Sequence, residues 1–128
     1  SIAMPDPSLG GSCGIHIAKM LERFGIAEEL RPRIVLASNP DREDEMPGSL
    51  VASGRAEIAL HQIQELLAVP GLEIGGPLPD DLKGDFLFSA GIRAGTTREV
   101  AGRQLLEVLR RPKTLELIKS KGMEPAAR

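Results

Sequence analysis

The chain has 128 residues, 41% of them apolar and 27% charged, with a formal net charge of −2. That length suits one domain or one lobe of a larger fold, and the composition excludes intrinsic disorder and collagen-like repeats. A single cysteine excludes an internal disulfide and a multi-cysteine zinc site, no apolar run approaches the roughly 20 residues that span a bilayer, and the lack of Trp and Tyr beside three Phe disfavours base-stacking contacts with nucleic acid.

In chain order, Ile2-Ala3-Met4 reads as a short strand ended by Pro5 and Pro7. Gly10, Gly11 and Gly14 make a flexible loop. Ile17, Leu21 and Phe24 then recur at helical spacing, with Ser12 as the expected N-cap and Gly25 as the stop. Ile34-Val35-Leu36-Ala37 reads as a buried strand. Asp41–Glu45, between Pro40 and Pro47, reads as an exposed acidic loop. Leu50-Val51-Ala52 closes a short helix before Gly54, Glu57–His61 is the next strand, and Gln62–Leu67 is a short helix that stops near Pro70.

Further strands are expected at Leu72-Glu73-Ile74 and, longer, at Phe86–Ile92. Thr96-Thr97-Arg98-Glu99 fits a capping box with Thr96 as the cap. Ala101, Leu105, Val108 and Leu109 form the apolar stripe of the helix that follows. Pro112 opens a last helix, with Leu115 and Ile118 facing inward and Gly122 ending it. Strands alternating with helices predict an α/β fold with a mostly parallel sheet.

Charge is uneven. Residues 1–90 hold 7 basic and 14 acidic side chains, whereas residues 91–128 hold 9 and 4. The basic residues of the second segment lie on helical patterns and read as solvated helix faces.

The sharpest local motif is Gly10-Gly11-Ser12-Cys13-Gly14. It matches G-x-S-x-G, but a nucleophile elbow needs its Ser directly after a strand, and Pro5–Leu9 intervene. A glycine-rich loop entering a helix also exposes unpaired N–H groups at the positive end of the helix dipole, which is the chemistry of an anion site. Cys13 and His16, three apart, could meet on one helical turn as a nucleophile pair. His61 ends a parallel strand, the position from which polar groups face a ligand crevice.

Taken in order, the segments Ile2–Pro7, Gly10–His16, Leu21–Ile26, Leu50–Ala59, His61–Glu65, Val69–Pro79, Phe88–Ile92 and Ile118–Pro125 resemble the C-terminal half of bacterial extracellular solute-binding proteins of the molybdate-binding type. The resemblance implies a type II periplasmic-binding-protein-like fold. Residues 1–85 would form its second lobe, and residues 86–128 a crossover strand and two helices of a first lobe that is otherwise absent here. It implies a non-enzymatic role without cofactors: capture of a small anion, a molybdate-like oxyanion or a small organic acid, for the membrane subunit of an ABC transporter. The implied ligand contacts are Gly11, Ser12, Cys13 and Gly14 in the loop, with His61 and Gln62 at the strand end, where relatives often carry two polar amides. The implied location is periplasmic or extracellular, although no charged-then-apolar signal segment opens this chain. An exposed cleft face would favour a homodimer. The same fold also serves as a ligand-sensing or protein-interaction module.

Overall fold

The computed structural model describes residues 1–125 and divides the chain into two units, Ser1–Asp85 and a second from Phe86 onward. In the first unit β1 (Ile2–Pro5) is the middle strand of a three-stranded parallel sheet, between β2 (Ile34–Ala37) and β3 (Ile58–Ala59). Register runs Met4 opposite Leu36 and Ile2 opposite both Ile34 and Ile58. Successive side chains of a strand point to opposite faces, so β1 serves two cores. Ala3 packs with Ala37, Leu50 and Ala56 on the face covered by α3 (Pro47–Ala52). Met4 packs with Ile17 and Leu21 of α1 (Ser12–Arg23) on the other. Three of those residues are alanines, and their small side chains let α3 lie close to the sheet.

Helix α1 ends as Gly25 predicts. Gly25, at φ 69°, donates its N–H to the Glu22 carbonyl (2.9 Å), and Ile26 N–H reaches the Leu21 carbonyl (3.1 Å). This pair of hydrogen bonds satisfies the last carbonyls of the helix and needs a left-handed residue at Gly25. At the other end the cap is Gly11 rather than Ser12, which is the first helical residue. The short α2 (Ala27–Leu30) and a 3-10 turn at Arg31–Arg33 lead into β2, and α4 (Ile63–Leu67) follows β3 with Gln62 as its cap.

Several expectations are corrected. β2 is an edge strand, and its Leu36 is exposed. β3 is two residues long, not five. Leu72–Ile74 and Phe86–Ile92 join no sheet. A strand exists by hydrogen bonding to a neighbour, and the second unit's other described elements are the helices α5 (Glu99–Leu109) and α6 (Pro112–Ser120). Phe88 is accordingly 72% exposed.

The Thr96 capping box does not form either. Thr96 Oγ1 accepts from Arg98 N–H, so the turn closes before the helix begins. Glu99, the first residue of α5, reaches forward to Arg103 (2.6 Å) instead of back to a cap. Leu105, Val108 and Leu109 of the expected stripe lie exposed, whereas Gly102 and Leu106 are half-buried, Gly102 against Ile92. Leu115 and Ile118 of α6 are half-buried as expected. No helix among the described residues is long and apolar enough to cross a membrane.

Candidate functional site

The carboxyl ends of the three parallel strands point the same way, and three loops leave from them. β1 runs into Asp6, β2 into Ser38, and β3 through Leu60 into His61 and Gln62. Asp6 joins the first two. Its Oδ1 accepts from Ser8 N–H (2.9 Å) and Ser8 Oγ (2.6 Å), and its Oδ2 accepts from Ser38 Oγ (2.7 Å). The Ser8 and Ser38 hydroxyls hold the carboxyl below the usual carboxylate range, so it is a fixed negative charge whose acceptor oxygens are already engaged. Sequence reasoning passed over Asp6. The signal was the order Asp6-Pro7-Ser8, since Asp commonly accepts from the backbone two residues on.

A 3-10 turn at Pro7–Leu9 separates β1 from the glycine loop, so Ser12 does not stand on a strand-to-helix elbow. Gly11 and Ser12 are exposed at the head of α1, where the first N–H groups have no intrahelical acceptor. Gly14 has another role. It is buried, and a Cβ placed there would lie 2.7 Å from the Pro5 carbonyl oxygen. It is the contact that brings α1 against the end of β1.

Cys13 and the β3 end converge across 48 positions of sequence. The Cys13 side chain packs against the Met4 cluster, and the Gln62 backbone N–H bonds to its sulfur. The same N–H is donated to His61 Nδ1 (2.8 Å). The Gln62 side chain turns to Gln64, whose Nε2 donates to Gln62 Oε1 (3.1 Å). Burial pushes the Cys13 thiol up, and the negative charge of Glu65 adds to the rise. Burial pushes the His61 imidazole down, against the pull of Glu65. Both shifts favour neutral forms, which is opposite to the thiolate–imidazolium pair of a nucleophilic cysteine.

His16, the other half of the pair expected with Cys13, has a partner far along the chain. His16 Nε2 donates to the Leu82 carbonyl (2.8 Å), and Arg23 reaches the Asp81 carbonyl of the same turn (3.5 Å). A cavity of about 310 Å³ opens between α3 and α4, with His61 and Glu65 in its wall. Glu65 was legible as a polar helix residue, but its place beside both Cys13 and His61 follows from the sheet.

The shift at His61 has a measurable consequence. Below pH about 6.5 the unfolded imidazole takes a proton that the native one refuses. Stability therefore falls as pH drops from there toward the lower native pKa, and is unaffected by this group above 6.5. Urea unfolding of the native chain and His61→Gln at several pH values checks this. The variant should lose that part of the slope, and parallel profiles would contradict it.

The profile described as bacterial extracellular solute-binding protein matches residues 1–124. An aconitate isomerase from a Pseudomonas species is 33% identical over 78 residues, which are 61% of this chain and 30% of that protein. The chain thus spans less than a third of the length of that curated relative. No solved structure matches the chain.

Proposed function

Because the chain belongs to the bacterial extracellular solute-binding protein family, we propose that it forms one wall of a type II receptor that captures a small anion and delivers it to an ABC importer. The family itself carries a small-molecule ligand, a transporter partner and a location outside the cytoplasm. The finer reading, a lobe corresponding to the C-terminal half of the molybdate-binding type, rests on the ordered segments of the sequence.

One observation carries the anion reading: α1 begins at the carboxyl end of the central parallel strand, with Gly11 and Ser12 exposed at its head. Ligands of open α/β sheets bind outside the carboxyl ends of the strands, and a helix N-terminus there offers fixed N–H donors to negative charge. A ligand on Gly11, Ser12 and Gly14 would be bound by backbone amides, and His61 and Gln62 would line the neighbouring strand end. Cys13, turned toward Gln62, would support the loop from behind. Closure against a second lobe would exclude water and strengthen each bond. The likeness to a protein named for aconitate, a carboxylate, favours a small organic acid over a metal oxyanion.

That name also raises an enzymatic reading. Here His61 counts for binding. Its Nδ1 accepts the Gln62 N–H, so the neutral ring carries its proton on Nε2. The ring meets a carboxylate as a donor, a role suited to holding an acid rather than taking a proton from it.

A thermal-shift titration against aconitate, citrate, molybdate, tungstate, sulfate and phosphate tests the reading. A ligand at 100 times its Kd adds about 2.7 kcal/mol of stability. The expected result is a saturable shift with one anion that Gly11→Leu removes. Gly11 has an ordinary φ of −67° and open space where a Cβ would sit, so this variant keeps the fold. A response to no anion, or one unchanged in Gly11→Leu, overturns the site. Conversion of aconitate followed by NMR in the same samples would establish the enzyme instead.

A further inference from the structure

Helix α1 carries a second contact face. Ile17 and Leu21 point toward the sheet and pack with Met4. His16, Lys19, Met20 and Arg23, spaced as one adjacent face of the same helix, border a groove whose other wall is Asp81 and Leu82. His16 Nε2 donates to the Leu82 carbonyl (2.8 Å), and Arg23, two turns on, approaches the Asp81 carbonyl (3.5 Å). One helix face thus holds two consecutive main-chain carbonyls.

The segment held there is itself a closed turn. The N–H groups of Leu82 and Lys83 both bond to the Pro79 carbonyl (2.8 and 2.9 Å), and Lys83 pairs with Asp80 (3.0 Å). Those bonds give the turn its shape. Its place on α1 comes from the reach of His16 and Arg23.

Its position along the chain gives that attachment a consequence. Among the described residues no helix or strand lies between Leu67 and Glu99, and the first unit ends at Asp85, three residues past Leu82. Beyond the boundary, Ile92 lies over Gly102 of α5, where a Cβ would sit 3.2 Å from its Cδ1. Back toward α4, Leu72 lies over Gly48 of α3 in the same manner, at 3.1 Å. With the turn attached, the joint between the units is residues 83–91. With the turn detached, the joint extends back as far as residue 73, about twice the length. The local concentration that a flexible tether imposes falls roughly as the −3/2 power of its length, so doubling the joint lowers it about threefold.

We propose that the Pro79–Lys83 turn is a clasp. His16 and Arg23 hold it on α1, which shortens the joint between the two units, and its release lets the second unit range more widely. The clasp lies along α1 and not at its head, and it involves no ligand, so the proposal stands apart from the anion reading.

Limited trypsin digestion of the full chain tests it. A protease takes its substrate extended, so cutting after Lys83 requires Asp81 and Leu82 to leave α1. His16→Ala should speed that cut about three- to tenfold, the effect of one net hydrogen bond on the detached population. Cleavage after Arg55 is the internal control. A rise at both sites together marks general loosening and overturns the clasp, as does an unchanged rate after Lys83. His16→Gln keeps an N–H donor at similar reach and should restore most of the protection. Equal effects of Ala and Gln overturn the role of the hydrogen bond. Backbone ¹⁵N relaxation gives the second readout. In His16→Ala the amides of α5 and α6 should tumble faster while those of β1 and β2 keep their native rate. Native tumbling of α5 and α6 in that variant overturns the effect on the joint, even where the cut after Lys83 is faster.

Discussion

Met4→Ala is expected to lower the unfolding free energy by about 2–5 kcal/mol, the range for emptying a fully buried Met position. Met4 is 1% exposed and sits on the middle strand, under Ile17 and Leu21 of α1. Its removal leaves a void that α1 fills only by moving toward the sheet. That movement is opposed by Gly14, already in close contact with the end of β1. Seven apolar residues make up the buried core among those described, three of them alanines. Few large side chains share the load, and a loss of this size is a large fraction of the 5–15 kcal/mol typical of a domain. Denaturant unfolding reads it as a lower midpoint at unchanged slope. A loss below about 1 kcal/mol would mean that α1 settles onto the sheet without Met4, against the packing described.

Gly14→Ala should destabilise by about 1–3 kcal/mol, as overpacking at a tight contact does. The added Cβ would meet the Pro5 carbonyl oxygen at 2.7 Å and the Pro5 and Asp6 carbonyl carbons at 3.2 Å. All three are backbone atoms of the strand end, so relief requires α1 or β1 to shift as a body. Glycine stands here for lack of space, because its φ is not among the positive ones. The paired control is Gly11→Ser, where nothing lies within 4 Å of the new Cβ and Ser is the better cap. That variant should be neutral or slightly stabilising. Equal effects at the two positions would show that the loop yields freely and that Gly14 does not set the approach of α1. The pair also qualifies the loop as a site: Gly11 can be changed to test ligand contact, whereas a change at Gly14 perturbs fold and site together.

The difference between these glycines was invisible in the motif Gly10-Gly11-Ser12-Cys13-Gly14. A motif records residue types, and the distance to Pro5 is set by how α1 packs on β1. The same holds for the candidate site as a whole. Cys13, His61 and Gln62 were each legible as polar or reactive groups near a loop or a strand end. That one backbone N–H serves both the thiol and the imidazole depends on parallel pairing of β1 with β3. Asp6 likewise gained its second partner, Ser38, because β2 pairs with β1 on the other side. His16 meets the Leu82 carbonyl, 66 positions away, with no motif between them.

Local chemistry alone determined β1, β2, α1, α4 and α6, because proline, glycine and helical or strand periodicity act within a few residues. Gly25 ends α1 and Pro112 begins α6 whatever surrounds them. The parallel α/β class also followed from the order of elements. Strand pairing and burial were decided only in three dimensions. Phe86–Ile92 has the residue types of a strand and pairs with no strand among the described residues. Leu105 and Val108 have the spacing of a buried stripe and are exposed, while Gly102 and Leu106 turn inward. A backbone ladder needs a second chain segment, and an apolar face is buried only where something covers it. Neither partner is written in the residues that await it.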